Sequence, residues 1–448
     1  MFRFGLSRRF GAAAHAKVCI VGGGPAGIST AAHLVRSGVV DASQVTIVDG
    51  STVHHYKPGW TLYCGEDIDK KMISMPMRKM IPSGVRWLDY YVQSVEPGQN
   101  SLTLANGDRM TYDQLVLVPG LKFNYEKVKG FKEALNDPTR PVSSVYAEES
   151  HEKLRKARSQ KYENAIFAQP QGPINCGAAP QKILHLTMDA WDKKGFKPHV
   201  SFIQADPALF ASKFYAQMMK KLLLARGVEH LLGHNLVEIK PNNVAVFEVL
   251  AGPNKGQIVE REFDFLHTAP PMCGPDFLRD SGLVNPSGFI DVDKHTFRHN
   301  EFDHVWSIGD ASSVPTSKTQ SAVFEQSLLL VQQLDKALNN PNKTVKNYDG
   351  YSGCPAITSG GKIMLAEFGW DGKISPTFYR DQRTPTRFFY WLKKYLFPYA
   401  NNYLMPRGLW RGRKTLYDPS GYDYLDFEQK EIARLESSVV THADQLKQ

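Results

Sequence analysis

The sequence predicts an α/β fold: two Rossmann-like units in tandem, followed by a C-terminal region of different composition. Three observations carry this. A strand, a glycine-rich turn, a helix and a second strand follow one another over Lys17–Asp49. A second strand–helix–strand run occupies Asn164–Ile203. Between that run and the C-terminal region, a hydrophobic strand in Phe302–Ala311 enters Gly309-Asp310 ahead of a long helical pattern.

The first unit is the most explicit. Val18, Ile20 and Val21 suit a buried strand, and Gly22, Gly24 and Gly27 fit G-x-G-x-x-G at the strand-to-helix turn. The first glycine permits the tight turn, the second lets backbone approach a pyrophosphate, and the third lets helix and strand pack closely. The helix N-terminus then directs positive partial charge at phosphate. Asp49 ends the next strand roughly 20 residues on, where a carboxylate can take ribose hydroxyls. This unit is expected to bind a dinucleotide.

Downstream, Met72–Met80 reads as a short helix, and Val85–Val95 and Ser101–Leu104 as strands. Tyr112–Val118 is a buried strand ending at Pro119-Gly120. That ending resembles the strand closing the first flavin segment of two-dinucleotide-domain flavoproteins, with V-P-G where A-T-G is usual. In that family the aspartate of the later Gly-Asp holds the flavin ribityl chain, which implies Asp310 here. The helix from about Thr319 to Leu338 can stabilise negative charge on reduced flavin with its N-terminus. Gly22, Gly24, Gly27, Asp49, Gly120 and Asp310 are therefore the expected FAD-binding residues.

The second unit departs from its pattern. An NAD(P)H-binding relative should carry a second G-x-G-x-x-G after the strand Asn164–Ala168. The sequence has Gln169-Pro170-Gln171-Gly172-Pro173-Ile174-Asn175-Cys176-Gly177 instead. The unit is expected to keep its fold without nicotinamide, with a cysteine in the place of the cofactor loop.

The chain has 448 residues, enough for two or three domains, and five cysteines, at 19, 64, 176, 273 and 354. None forms a C-x-x-C pair, and no His/Cys cluster has zinc spacing, so no metal site and no secreted disulfide framework is expected. Cys176 precedes a predicted helix whose first turn holds Lys182, and both features favour thiolate. Cys354 lies in the turn-rich Asp349–Pro355, read as a loop. Cys19, Cys64 and Cys273 read as structural. Spacing alone does not establish that Cys176 and Cys354 meet.

Charge is uneven. The first 16 residues carry Arg3, Arg8 and Arg9 and no acid, as in a mitochondrial transit peptide. Arg380–Lys414 holds nine Lys or Arg against Asp381 alone, which accounts for +8 of the chain's net +9. It also holds nine aromatics, with Phe388, Trp391, Leu392, Tyr395 and Tyr399 on one helical face. No apolar run is long enough to span a bilayer, so the segment reads as a basic amphipathic helix lying in a membrane interface. No nucleic-acid-binding signature accompanies the charge.

Nearly the whole chain after residue 16 resembles mitochondrial sulfide:quinone oxidoreductases. G-G-G-P-A-G, C-G-A-A-P-Q-K at Cys176, S-I-G-D-A-S, P-T-S-K-T at Pro315 and Y-D-G-Y-S-G-C-P at Cys354 carry the likeness. The resemblance implies a catalytic pair, Cys176 and Cys354, beside non-covalent FAD. It implies oxidation of hydrogen sulfide, with electrons passed to ubiquinone and sulfane sulfur to glutathione or sulfite. It also implies a peripheral place on the mitochondrial inner membrane. The expected organisation is a transit peptide at 1–16 and an FAD-binding domain at 17–120 and 264–345. A second Rossmann-like domain follows at 121–263, and a C-terminal redox-cysteine and membrane region at 346–448. Three competing readings are a type II NADH:quinone oxidoreductase, a flavocytochrome-type sulfide dehydrogenase and a non-catalytic membrane-docking flavoprotein. The first needs the missing glycine motif, and the second is expected with a haem partner, though no C-x-x-C-H occurs.

Overall fold

The structure, a computed structural model, describes residues 14–66, 68–378 and 381–416. Most of the expected transit peptide thus lies outside the described residues, as does Arg380. Its boundary at 16 does not hold, because the first strand runs Ala14–Val21, with Ala14, His15 and Ala16 already paired with Met110, Thr111 and Tyr112.

A seven-stranded sheet organises the first unit. Ala14–Val21 lies at its centre, parallel to Val45–Val48 on one side and to Arg109–Leu117 on the other. Val305–Trp306, far along the chain, returns to pair with Leu115 and Val116. The central strands are apolar on both faces because helices cover them, with Val18, Ile20, Val45, Ile47, Leu115 and Val116 fully buried. The helix Pro25–Arg36 packs against the helix Gln320–Leu338. Thr319 caps the latter by accepting from the Ala322 amide, as a threonine at an N-cap does.

A second, five-stranded parallel sheet holds Asn164–Gln169 between Phe265–Thr268 and His199–Gln204. The expected boundary at 264 is corrected here: Phe265–Thr268 hydrogen-bonds into this sheet and not into the first. An antiparallel three-stranded sheet of His234–Lys240, Val244–Val249 and Ile258–Glu262 lies in the chain between the parallel strands Glu229–Leu232 and Phe265–Thr268.

Three local expectations also change. Of the expected helix, Met72 ends a 3-10 turn and Met77–Met80 is α-helical; Ser74–Pro76 between them pairs with Val53–His55. Val85–Val95 is not one strand but Arg86–Leu88 and Val92–Glu96, which join opposite ends of the first sheet. Cys354 lies in no loop: Ser352–Ile357 is a strand paired with Ile363–Phe368, and Cys354 faces Ala366 across the pair. The glycines and aspartate before it end at Gly350, where a positive φ makes the turn.

The C-terminal segment differs most from its expectation. Arg387–Leu404 is helical throughout, but Leu392–Leu396 and Ala400–Leu404 are π-helical turns. Each precedes a proline, Pro398 or Pro406. A proline cannot donate to the carbonyl four residues back and collides with it, and the turn before it widens. In an α-helix every fourth residue drifts by about 40°, and a wider turn drifts the other way. The π turns therefore keep Trp391, Tyr395, Tyr399 and Tyr403 in one row. With Phe388 they are 44–53% exposed, while Leu392, expected beside them, is buried. Five of the basic residues are buried or paired with acids instead. Lys393 is buried, Lys394 pairs with Glu66, Arg383 with Asp381, and Arg413 and Lys414 with Glu325.

Candidate active site

A cavity of ≈ 420 Å³ opens where the two sheets and the C-terminal segment meet. Such a volume lies in the roughly 300–1,000 Å³ range of cofactor and ligand sites. Gly22, Gly24, Asp49, Gly120 and Asp310 line it, and so do Cys176 and Cys354. Gly27 does not.

The three glycines of the first turn have separable physical roles. A Cβ on Gly22 would stand 2.3 Å from the Val118 carbonyl oxygen, and its φ of +114° excludes other residues. A Cβ on Gly27 would stand 1.9 Å from the Gly22 carbonyl oxygen, so that glycine is required by packing. A Cβ on Gly24 meets nothing within 4 Å and would project into open space at the helix N-terminus. A phosphate can therefore come close to backbone there. The Asp49 carboxylate accepts from the amides of Gly23 (2.6 Å) and Ser51 (2.7 Å), which fixes it beside the turn. At the other end, Asn175 donates to Asp310 (3.2 Å). Lys318 donates to the carbonyls of Ser312 (2.6 Å) and Val314 (3.1 Å), holding the loop after Asp310. Burial brings the Lys318 ammonium down to about 8 despite Asp310 nearby. Open backbone at a helix N-terminus, a fixed carboxylate at the second strand and a cavity joining them to Asp310 fit a flavin dinucleotide.

The cysteines come from opposite parts of the chain. Cys176 sits in the loop before the helix Ala179–Lys193 with φ +61°, a left-handed conformation uncommon for a residue with a side chain. Three contacts hold it there. Its amide donates to Lys318 O (3.1 Å), and its carbonyl accepts from the Ala179 amide (2.9 Å) and the Tyr146 hydroxyl (2.8 Å). Strain clamped in this way is a common feature of functional sites. Cys354, on its strand, lines the same cavity and lies near enough to Cys176 for the two sulfurs to influence each other. Lys182 Nζ lies 3.1 Å from Cys176 Sγ.

These contacts divide one proton. The Cys354 thiol and then the Lys182 ammonium hold Cys176 well below the ordinary thiol range, against the opposing effect of burial. Cys354, facing the Cys176 thiolate in a buried place, is raised well above it. Burial opposes charge on Lys182, but the two sulfurs outweigh it and keep the ammonium. Cys64 and Cys19 are buried away from any such partner; burial raises both, Cys19 to about 12.

Comparison with known proteins places this geometry. Residues 16–167 match the family model of pyridine nucleotide-disulphide oxidoreductases. The chain is 37% identical over 410 residues to the mitochondrial sulfide:quinone oxidoreductase of Dictyostelium discoideum, covering 90% of this chain and 88% of that protein. It is 35% identical over 405 residues to that of Mus musculus, covering 89% and 88%. The chain belongs to the sulfide:quinone oxidoreductase family. The crystal structure of the Aquifex aeolicus sulfide:quinone oxidoreductase has the same fold, with a TM-score of 0.72 at 18% identity, covering 88% of this chain and 92% of that one.

As a sulfide:quinone oxidoreductase, the chain belongs to a family of flavin-dependent oxidoreductases. Sequence reasoning missed several polar residues of the cavity, among them Tyr146, Lys318 and Lys393. Lys393 reads in sequence as part of a solvated basic face, yet its side chain is buried, lines the cavity and donates to Pro58 O (2.9 Å). Its signal was present as a lysine within an otherwise apolar inward face, but the helical period assumed for the segment pointed it outward. Among the described residues no His/Cys/Asp/Glu cluster could hold a metal.

Proposed function

We propose that this protein is a mitochondrial sulfide:quinone oxidoreductase. On this reading hydrogen sulfide is oxidised at Cys176 and Cys354, electrons go through non-covalent FAD to ubiquinone, and sulfane sulfur goes to glutathione or sulfite. One observation carries the site assignment: Cys176 and Cys354 line the same cavity as Gly24, Asp49 and Asp310, with Lys182 Nζ 3.1 Å from the Cys176 sulfur.

In the oxidised enzyme the pair is bridged. Hydrosulfide attacks the Cys354 sulfur, the bridge breaks, and a persulfide forms on Cys354 while the electron pair stays on Cys176. Lys182, 3.1 Å from that sulfur, stabilises the thiolate leaving group, and a better leaving thiolate is displaced faster. Gly22, Gly24, Asp49, Gly120 and Asp310 would hold FAD. Bound there, the flavin supplies a two-electron carrier that can release its electrons to a quinone. A small thiolate or sulfite then takes the outer sulfur from Cys354 and leaves both cysteines reduced; re-forming their bridge releases two electrons, which FAD held in the cavity would accept.

The exposed row of Phe388, Trp391, Tyr395, Tyr399 and Tyr403 supports membrane docking, since aromatic rings settle at headgroup level. Arg387, Arg407 and Arg411 are the exposed cations of the same segment and would face anionic lipid. Among the described residues no helix is long and apolar enough to cross a membrane, so attachment would be monotopic, on the inner mitochondrial membrane. Phe397 and Trp410 carry the segment's inner side into the cavity wall, which gives a quinone an apolar way in from the bilayer. The transit peptide would lie within residues 1–13, with cleavage before the first strand at Ala14. The two sheets would be the FAD domain and a second Rossmann-like domain without nicotinamide.

The test is anaerobic flavin bleaching with sulfide and NADH added separately. Bleaching by sulfide alone is expected. Bleaching by NADH alone would point to the NADH:quinone oxidoreductase reading.

A further inference from the structure

Lys393 is a buried titratable group of the cavity that the chemistry above leaves unused. Its side chain is 2% exposed. An ammonium has three donors, and the hydrogen-bond partner of this one is the Pro58 carbonyl at 2.9 Å. Among the described residues no carboxylate pairs with it. Its neighbour Lys394 is different, held at the rim by Glu66 at 3.0 Å. The π turn Leu392–Leu396 lets Leu392 and Lys393 both face inward while Trp391 and Tyr395 stay outside. Such turns interrupt α-helices most often at functional sites.

The ionisable groups around it are few. Lys182 and Cys176 approach from the helix Ala179–Lys193 and the loop before it, and Cys354 from its strand. The Tyr146 hydroxyl is committed to the Cys176 carbonyl, and Lys57, beside Pro58, stands over the Trp60 ring. A lysine buried without a counter-ion tends to lose its charge. Burial, and then the Lys182 ammonium, bring Lys393 down to about 7, with the two sulfurs pulling the other way. Two lysines in one cavity are thereby pushed apart: Lys182 stays charged with the thiolate, and Lys393 can be neutral. Separation of this kind marks out acid and base roles.

We propose that Lys393 is the proton acceptor for the substrate, taking one proton from neutral hydrogen sulfide within the cavity and leaving hydrosulfide beside the cysteine pair. This rests on the sulfide reading above and adds the group that ionises the substrate. Neutral hydrogen sulfide enters an apolar cavity more readily than its anion does. Its proton goes to the Lys393 amine. The hydrosulfide electron pair forms the new S–S bond to Cys354 as the Cys176–Cys354 bond breaks, and that bond's pair remains on Cys176. The Lys393 ammonium releases its proton to solvent before the next substrate arrives.

The experiment is anaerobic stopped-flow bleaching of the holoenzyme by sulfide between pH 6 and 9, for wild type, Lys393→Met and Lys393→Arg. FAD content and melting temperature establish that the variants fold. Loss of a general base is expected to slow Lys393→Met by about a hundredfold at pH 6, narrowing to about threefold at pH 9 as substrate arrives already ionised. Lys393→Arg, a fixed charge that cannot accept a proton, should be as slow as Lys393→Met at pH 6. A loss independent of pH, or wild-type speed in Lys393→Arg, would overturn the role of Lys393 and leave the sulfide reading standing. A wild-type flavin that sulfide does not bleach at any pH would overturn both.

Discussion

Lys182 Nζ and Cys176 Sγ lie 3.1 Å apart across the first turn of a helix, and both groups are enclosed. Cys354 and then this contact hold Cys176 low while Cys354 is raised, so Cys176 is the sulfur that carries negative charge. Because the Cys176 thiol is held low, its thiolate persists below the pH at which an ordinary thiol would be protonated. In Lys182→Met that support is lost while burial still opposes charge, so the titration moves to higher pH. Alkylation of the reduced protein by iodoacetamide at pH 7 should fall at least about tenfold, one pKa unit being a factor of ten. Equal alkylation of the variant and wild type would remove the ion pair from the account.

Gly24 and Gly27 should fail in different ways. In Gly27→Ala the new methyl meets the Gly22 carbonyl oxygen at 1.9 Å. Overpacking of that kind costs about 1–3 kcal/mol, read as a lower melting temperature of the FAD-free protein. Gly24→Val meets no protein atom with its Cβ. Its melting temperature without FAD should match wild type, with the loss confined to FAD retention on gel filtration. A Gly24→Val protein that keeps FAD as wild type does would mean that no phosphate lies against this turn.

Membrane docking needs point substitutions, because the C-terminal segment is also core. Phe389, Leu392, Met405 and Trp410 are buried against the rest of the protein, and Asn401 accepts from Gln320 at the start of the long helix (2.6 Å). Truncation there would remove core packing along with any membrane face. Trp391→Ser with Tyr395→Ser changes only half-exposed rings. The double variant should keep its melting temperature and sulfide bleaching, and lose most cosedimentation with cardiolipin-containing liposomes. Unchanged cosedimentation would refute attachment through this row.

Cys64→Ser, Cys19→Ser and Cys273→Ser should each turn over within about threefold of wild type if folded. Surface-remote structural positions act through stability rather than chemistry. Quinone reduction driven by sulfide is the assay. A specific loss in Cys64→Ser with FAD retained would move the reactive pair.

Much of this site could be read from local sequence. Gly22 to Asp49 is a short-range pattern whose spacing is set by strand and helix geometry, and the cavity lies where that pattern points. The approach of Cys176 to Cys354 could not be derived locally, because it depends on how the hairpin Ser352–Phe368 crosses the helix Gln320–Leu338; family resemblance supplied it. Cys354 was read as a loop residue because Gly350 and Gly353 look like turn formers, yet Gly353 is a strand residue packed beside Ser321 and Tyr351. Lys393 was misplaced for a different reason. An α-helical period was applied to a segment whose two prolines widen it, and a run of lysines was counted as surface charge although Pro58, Glu66 and Glu325 receive them from within.

The central claim is that Cys176 and Cys354 act as one unit that delivers sulfide electrons to the flavin. It is tested most directly by anaerobic sulfide titration of the flavin absorbance in wild type, Cys176→Ser, Cys354→Ser and the double variant. Members of one catalytic unit are not additive. Wild type should therefore bleach, and each single variant, with FAD retained, should be as slow as the double. Bleaching at near wild-type speed in either single variant would contradict the account.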